Sequence, residues 1–317
     1  MNKGTDPPVI ALIGPTAVGK TSLSLKLAER FPIEIVSADS RLFYRGLDIG
    51  TAKPMLEERQ KAIHHLIDVT SANQPWGLAD FRLAAREVID TIHQHGKLPL
   101  LVGGTGQYMA AILEGWHPPP RPPSDTIRAE LQALAKQHGA LALHARLEAV
   151  DPVSAGRIDY RNVRRVIRAL EIYELTGRPA SELRGKQTPP YRILRIGLTL
   201  PRKQLYKRID ERLESMLDAG WVEEVKRLIE HGYDFQTPPF SAIGYRQLAS
   251  YIRGEISIEQ AKIEIKRLTR QFVRRQANWF KPNDPQIHWF VNEKEVEGKV
   301  IALIKVWLEG SGVLGTT

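Results

Sequence analysis

The chain has 317 residues, 42% apolar and 26% charged, which is the balance of a globular protein with one large core and room for a satellite domain. It lacks cysteine, which excludes disulfides, thiolate metal sites and cysteine nucleophiles and points to the cytoplasm; no apolar run nears the roughly 20 residues that span a bilayer. The formal charge of +9, from 45 Lys and Arg against 36 Asp and Glu, admits nucleic acid as a partner without requiring it.

The opening MNKGTDPP has no apolar core of a secretion signal. After it, VIALIG reads as a buried strand running into a glycine-rich loop, with a helical pattern from Thr21 to Arg30. A second strand, IEIVSA, ends at Asp39; ADFRLAAREVIDTIHQHG has helical periodicity with a glycine stop; LPLLVGG is a third buried strand. Strands separated by helices predict an α/β fold, a parallel sheet covered by helices on both faces.

Two proline-rich stretches, 117–125 and 185–192, bracket helical patterns without a convincing strand. The expected organisation is a catalytic α/β domain over 1–116 and 190–317, interrupted by a smaller all-helical insertion over 117–189. ILRIGLTL resumes the strand pattern, helices follow to about Lys281, and QIHWFVN is a candidate last strand before a closing helix.

Two helical patterns carry cations on one face. Arg267, Arg270, Arg274 and Lys281 fall within an arc of about 60° at 100° per residue, with Ile265, Leu268, Phe272 and Trp279 opposite. Arg161, Arg164 and Arg168 form the second stripe. Between 262 and 281 there are seven Lys or Arg and one acid, Glu264, a bias that suits a phosphate backbone. His64 and His65 have no partner at metal-ligand spacing and read as structural.

Gly14-Pro15-Thr16-Ala17-Val18-Gly19-Lys20-Thr21 matches G-x-x-x-x-G-K-[ST] in full and lies between strand and helix, as the mechanism requires. Its glycines let backbone N–H groups converge on phosphate oxygens, Lys20 adds a mobile charge, and the Thr21 hydroxyl is placed for Mg2+. A P-loop ATPase or kinase usually also has an acid at the end of another buried strand. Here LPLLV ends instead in Gly103-Gly104-Thr105-Gly106, which leaves Asp39 and Asp68 as the nearby candidates. Phosphate binding follows from these residues; nucleotide hydrolysis does not.

GPTAVGKT, SADSRLFYRGLDIGTAKP, HHLIDV, LLVGGTGQY, RRVIRALEIYELTG, RIDERLESMLDAG, AIGYRQL and RRQANWF together resemble the tRNA dimethylallyltransferases, or isopentenyl-tRNA transferases. The eight stretches occur in family order from residue 10 to about 281. The resemblance implies a P-loop NTPase-like fold and transfer of a dimethylallyl group from its diphosphate to N6 of adenosine 37, in tRNAs reading codons that begin with U. The phosphate loop, Gly14 to Thr21, would then hold the diphosphate of the prenyl donor, with Mg2+ on Thr21 and on Asp39 through water.

By the same resemblance Asp39 is the base that takes the N6 proton, Thr105 donates to the bridging oxygen, and Arg212 joins Lys20 on the diphosphate. Contacts to the tRNA anticodon stem-loop are implied for Asp39, Ser40, Arg41, Leu42, Thr105, Arg128, Arg164, Arg165, Arg168, Gly244, Tyr245, Arg246, Arg274, Arg275, Gln276, Trp279 and Lys281. Leu42 stands where the family often has glutamine and offers no side-chain hydrogen bond; Gln107 stands where leucine is common. A cytoplasmic monomer is expected. Two rivals use the same loop: an ATP-binding small-molecule or nucleoside kinase, and a nucleotide-regulated RNA-binding protein without chemistry.

Overall fold

Val9, Ala11 and Ile13 face one apolar core while Ile10 and Leu12 face another, the period-two signature of a strand covered on both sides. The computed structural model describes residues 6–310 apart from Pro75, 119–123 and Arg184, so the middle of the first proline-rich stretch lies outside the described residues. The chain forms two units, Met1–Leu113 with Pro190–Thr317, and Glu114–Pro189.

The larger unit opens with β1 (Pro8–Ile13), α1 (Lys20–Ala28), β2 (Ile33–Ser37), α2 (Leu56–Lys61), β3 (His64–His65), α3 (Leu78–Gln94), β4 (Leu98–Gly103) and α4 (Gly106–Leu113). The smaller unit holds β5 (Trp116–His117), α5 (Asp125–Val150, broken at Gly139), α6 (Pro152–Ala155), α7 (Val163–Thr176), α8 (Ala180–Leu183) and β6 (Gly185–Lys186). The chain then returns through β7 (Arg192–Thr199), α9 (Arg202–Asp218), α10 (Trp221–Glu230), α11 (Tyr245–Ile252), α12 (Ile258–Ala277), β8 (Ile287–Val291) and α13 (Val296–Glu309).

Six strands make one all-parallel sheet in the order β3-β2-β4-β1-β7-β8. Side chains of α3, α4, α10 and α11 fill the core on one face; those of α1 and α13 fill the other. The parallel sheet with helices on both faces is as the alternation of strand and helix predicted. His64 and His65 belong to the edge strand β3, where the His65 Nε2 meets the buried Glu34 carboxylate at 2.6 Å.

The smaller unit has a core of Leu131, Leu143, Leu147, Val166 and Leu170. It is not wholly helical, because Trp116–His117 pairs antiparallel with Gly185–Lys186 in a two-residue ribbon. That ribbon is too short to leave a periodic signal in the sequence. Among the described residues no helix is long and apolar enough to cross a membrane.

Candidate active site at the carboxyl ends of the strands

Register places three loops side by side. Ile13 of β1 is opposite Gly103 of β4, and Ser37 of β2 is opposite Val102, so the chain leaves at Gly14, Gly104 and Ala38 on one edge of the sheet. Crevices at the carboxyl ends of parallel strands are where open α/β sheets bind ligands. Gly14 has φ +148°, and a Cβ there would lie 2.5 Å from the Leu198 carbonyl oxygen, so only glycine fits. The Lys20 Nζ donates to the carbonyls of Gly14 at 2.9 Å and Pro15 at 2.8 Å, bending over the loop it belongs to.

A cavity of about 320 Å³ opens beside this loop. Its lining is mixed: polar groups come from Thr16, Lys20, Thr21, Ser37, Asp39 and Thr51 and from Arg208 and Arg212 of α9, and apolar ones from Ile35, Leu42, Ala52, Pro54, Ile67 and Val102. His64 lines it too, beside Ile35 in the strand register. The His64 Nδ1 donates to the Ala62 carbonyl at 2.8 Å, and burial lowers the imidazole pKa, which keeps the ring neutral.

The charges of Lys20, Asp39 and Arg212 are coupled. Burial pushes Lys20 from 10.5 down to about 8, with Asp39 opposing that shift and Arg212 adding to it. Burial likewise lowers Arg212, again against the field of Asp39. The Asp39 Oδ1 accepts from the Arg41 backbone N–H at 3.0 Å, which fixes the carboxylate at the start of its turn. Arg208, four residues before Arg212 and on the same helix face, is a site residue that the sequence reading does not single out; the i, i+4 spacing in RIDER is the available signal.

Thr21 and Asp39 line one cavity, whereas the other acid weighed for Mg2+ is already committed. Asp68 Oδ1 accepts from the buried Lys53 at 2.5 Å, and its Oδ2 accepts from Arg59 at 2.9 Å. No group of three His, Asp or Glu suited to a metal occurs among the described residues. That donor set fits a Mg2+ carried mostly by phosphate oxygens and water, with one protein hydroxyl. Thr105 does not line the cavity; it precedes α4, its carbonyl accepting from the Tyr108 and Met109 N–H groups at 3.1 Å.

The residues expected to face RNA divide into outward and inward groups. Arg164, Arg165, Arg274, Arg275, Trp279 and Lys281 are exposed. Tyr245 and Gly244 are instead buried, Gly244 against the Trp221 ring and Tyr245 with its hydroxyl on Glu224 at 2.8 Å. Gln276 is 5% exposed and also turns inward. Arg41 donates to the Pro238 carbonyl and the Ser241 hydroxyl, both at 2.9 Å, and Arg246 donates to the carbonyls of Phe235 and Gln236, so both brace the loop before α11. In the smaller unit Arg128 and Arg168 pair with the fully buried Glu171 at 3.1 and 2.7 Å.

The basic stripes are also shorter than a continuous helix would make them. Helix α12 ends at Ala277, so Trp279 and Lys281 lie beyond it, and Arg161 precedes α7, paired with Asp159. Within α12, Arg270 pairs with Asp210 of α9, and Lys262 and Lys266 pair with Glu214. Arg267, Arg274 and Arg275 remain exposed.

A family model described as IPP transferase matches residues 42–283. A tRNA dimethylallyltransferase of Roseiflexus castenholzii is 53% identical over 274 residues, covering 86% of this chain and 90% of that protein. One from Thermomicrobium roseum is 49% identical over 283 residues, covering 89% and 86%. The chain belongs to the IPP transferase family. The crystal structure of a tRNA isopentenylpyrophosphate transferase from Bacillus halodurans superposes with a TM-score of 0.72 at 38% identity, covering 97% of this chain and 98% of that one.

In an IPP transferase a lysine near neutrality in the phosphate loop has a measurable consequence. Affinity for inorganic pyrophosphate is expected to fall as pH rises through about 8, because the Lys20 of the free protein loses its proton there. A bound diphosphate holds the proton on, so kcat should keep its plateau to higher pH than kcat/KM. Calorimetric titration of pyrophosphate at pH 7 and 9 checks this. The unfolded chain binds the extra proton between about 8 and 10.5, so the cost of burying this charge, complete below about 8, fades and stability rises as pH climbs through that window.

Proposed function

We propose that this chain transfers the dimethylallyl group of dimethylallyl diphosphate to N6 of adenosine 37 in tRNAs reading codons that begin with U. The observation that carries the reading is one cavity beside the phosphate loop in which the cations Lys20, Arg208 and Arg212 and the carboxylate of Asp39 share the lining with Ile35, Leu42, Ala52, Pro54, Ile67 and Val102. A phosphorylated apolar donor suits both kinds of lining at once.

In the transfer the N6–C1 bond forms as the C1–O bond to diphosphate breaks. The N6 proton goes to the Asp39 carboxylate, and the electron pair of the broken bond leaves on diphosphate. The adenine amine is a weak nucleophile because its lone pair is delocalised, so a positioned carboxylate orients it and takes its proton as the bond forms. Lys20, Arg212 and the loop N–H groups meet the charge that grows on the leaving oxygens. Thr105, on the loop next to Gly104, is the proposed donor to the bridging oxygen. Thr21 would hold a Mg2+ that neutralises further diphosphate charge, with Asp39 reached through water.

The target base must leave its stack to reach a cavity of this kind, which costs least in a single-stranded loop. The exposed Arg274 and Arg275, Lys281, and Arg164 and Arg165 of the smaller unit supply phosphate contacts. Replacing Arg274 and Arg275 together by alanine is expected to weaken tRNA binding at 50 mM salt and to make the slope of log K against log salt shallower by about 2, since each guanidinium that neutralises a phosphate accounts for roughly one unit of slope. An unchanged slope would remove these residues from the interface.

Incubation with labelled dimethylallyl diphosphate, unmodified tRNA and Mg2+, without ATP, tests the activity. Labelled RNA is the expected result. A kinase gives none, and a passive binder shifts the tRNA without labelling it.

A further inference from the structure

Gln276 lies one residue beyond two exposed arginines and yet turns its amide inward. Its Oε1 accepts from the Thr16 N–H at 2.9 Å and its Nε2 donates to the Gly104 carbonyl at 3.0 Å. Thr16 belongs to the phosphate loop, and Gly104 precedes Thr105. These loops leave the neighbouring strands β1 and β4 in register at Ile13 and Gly103, and the amide bridges them just past the point where strand pairing stops.

The fit is tight on the Thr105 side. A Cβ on Gly104 would lie 2.3 Å from the Gln276 Nε2, and one on Gly106 would lie 2.0 Å from the Trp279 ring. The glycines flanking Thr105 are thus what allow the end of α12 to dock this closely. An amide is also the group the site calls for. It presents one acceptor and one donor at a single reach, and it is neutral, so it adds no negative charge where a diphosphate must bind.

We infer that Gln276 is a positioning residue of the donor site, setting the spacing between the phosphate loop and the Thr105 loop, and not an RNA contact. The inference rests on the proposed transfer for the meaning of the donor, but its central readout does not. On the same helical turn Arg274 and Arg275 point outward while Gln276 points inward, so RNA-binding and donor-site roles separate residue by residue.

The test measures three quantities on Gln276→Ala and Gln276→Glu: the Kd of inorganic pyrophosphate, the KM of dimethylallyl diphosphate, and the Kd of unmodified tRNA. Gln276→Ala is expected to raise the pyrophosphate Kd and the donor KM about tenfold, the effect of removing one to two hydrogen bonds, with the tRNA Kd within about twofold of wild type. Gln276→Glu should be worse for both diphosphates, since it removes the donor to Gly104 and adds a negative charge beside the loop. It keeps the side-chain size and serves as the second variant if alanine does not fold. Weaker tRNA binding with unchanged pyrophosphate binding would make Gln276 an RNA contact and overturn the inference, as would equal loss of every affinity. If wild type labels no RNA, the proposed transfer fails, while pyrophosphate binding still decides the role of Gln276.

Discussion

Asp39→Asn is expected to lower kcat for prenyl transfer by about 10² to 10⁴, the usual contribution of a general base, while tRNA affinity stays near that of wild type. Asparagine retains an oxygen for the Arg41 N–H, so the turn that carries position 39 survives and the loss reports on the proton acceptor. Asp39→Ala removes the turn hydrogen bond as well and should abolish transfer. A second signature separates charge from shape. Asp39 is the influence that holds the Lys20 pKa up against burial and Arg212. Without its charge Lys20 must fall below about 8, so the alkaline limb of kcat/KM for the donor should move to lower pH in Asp39→Asn. A comparable loss of tRNA affinity in both variants would instead make Asp39 a docking residue.

The parts of the site that can be read in the sequence are those written locally. The phosphate loop is a contiguous match between strand and helix, and Asp39 follows a recognisable buried strand, so neither needs tertiary information to be placed. The errors on α12 come from extending helical phase past its end. Pro282 disfavours helix at the residue before it, and that signal is present in the sequence. Gln276 and Glu224 are different in kind. Each is a polar residue inside an amphipathic helix with partners far away in sequence: 172 residues from Gln276 to Gly104, and 174 from Glu224 to Gly50. Periodicity assigns such residues to a face but says nothing of the backbone groups that await them. Tyr245 is misplaced for the same reason, its hydroxyl being spent on Glu224 and not on RNA.

Glu224→Ala is expected to cause a large loss of stability, although the residue lies outside the cavity. The Glu224 side chain is 2% exposed, and its Oε2 accepts from the N–H groups of Asp48 at 3.0 Å and Ile49 at 2.7 Å. Its Oε1 accepts from the Gly50 N–H at 3.2 Å and the Tyr245 hydroxyl at 2.8 Å. Alanine strands these donors, at about 1–3 kcal/mol for each one that water does not reach, so a loss on the order of 3–5 kcal/mol is expected. Glutamine is milder for a structural reason. Its carbonyl can serve Asp48 and Ile49, and the Tyr245 hydroxyl can reverse to accept from the amide, leaving only the Gly50 N–H stranded at about 1–3 kcal/mol. Residues 48–50 lead directly into Thr51, Ala52 and Pro54 of the cavity wall, so the donor KM should rise in the same order, alanine above glutamine. Urea midpoints and donor KM on the two variants check both halves. A donor KM unchanged in a destabilised Glu224→Ala would show that the loop holds its place without this carboxylate.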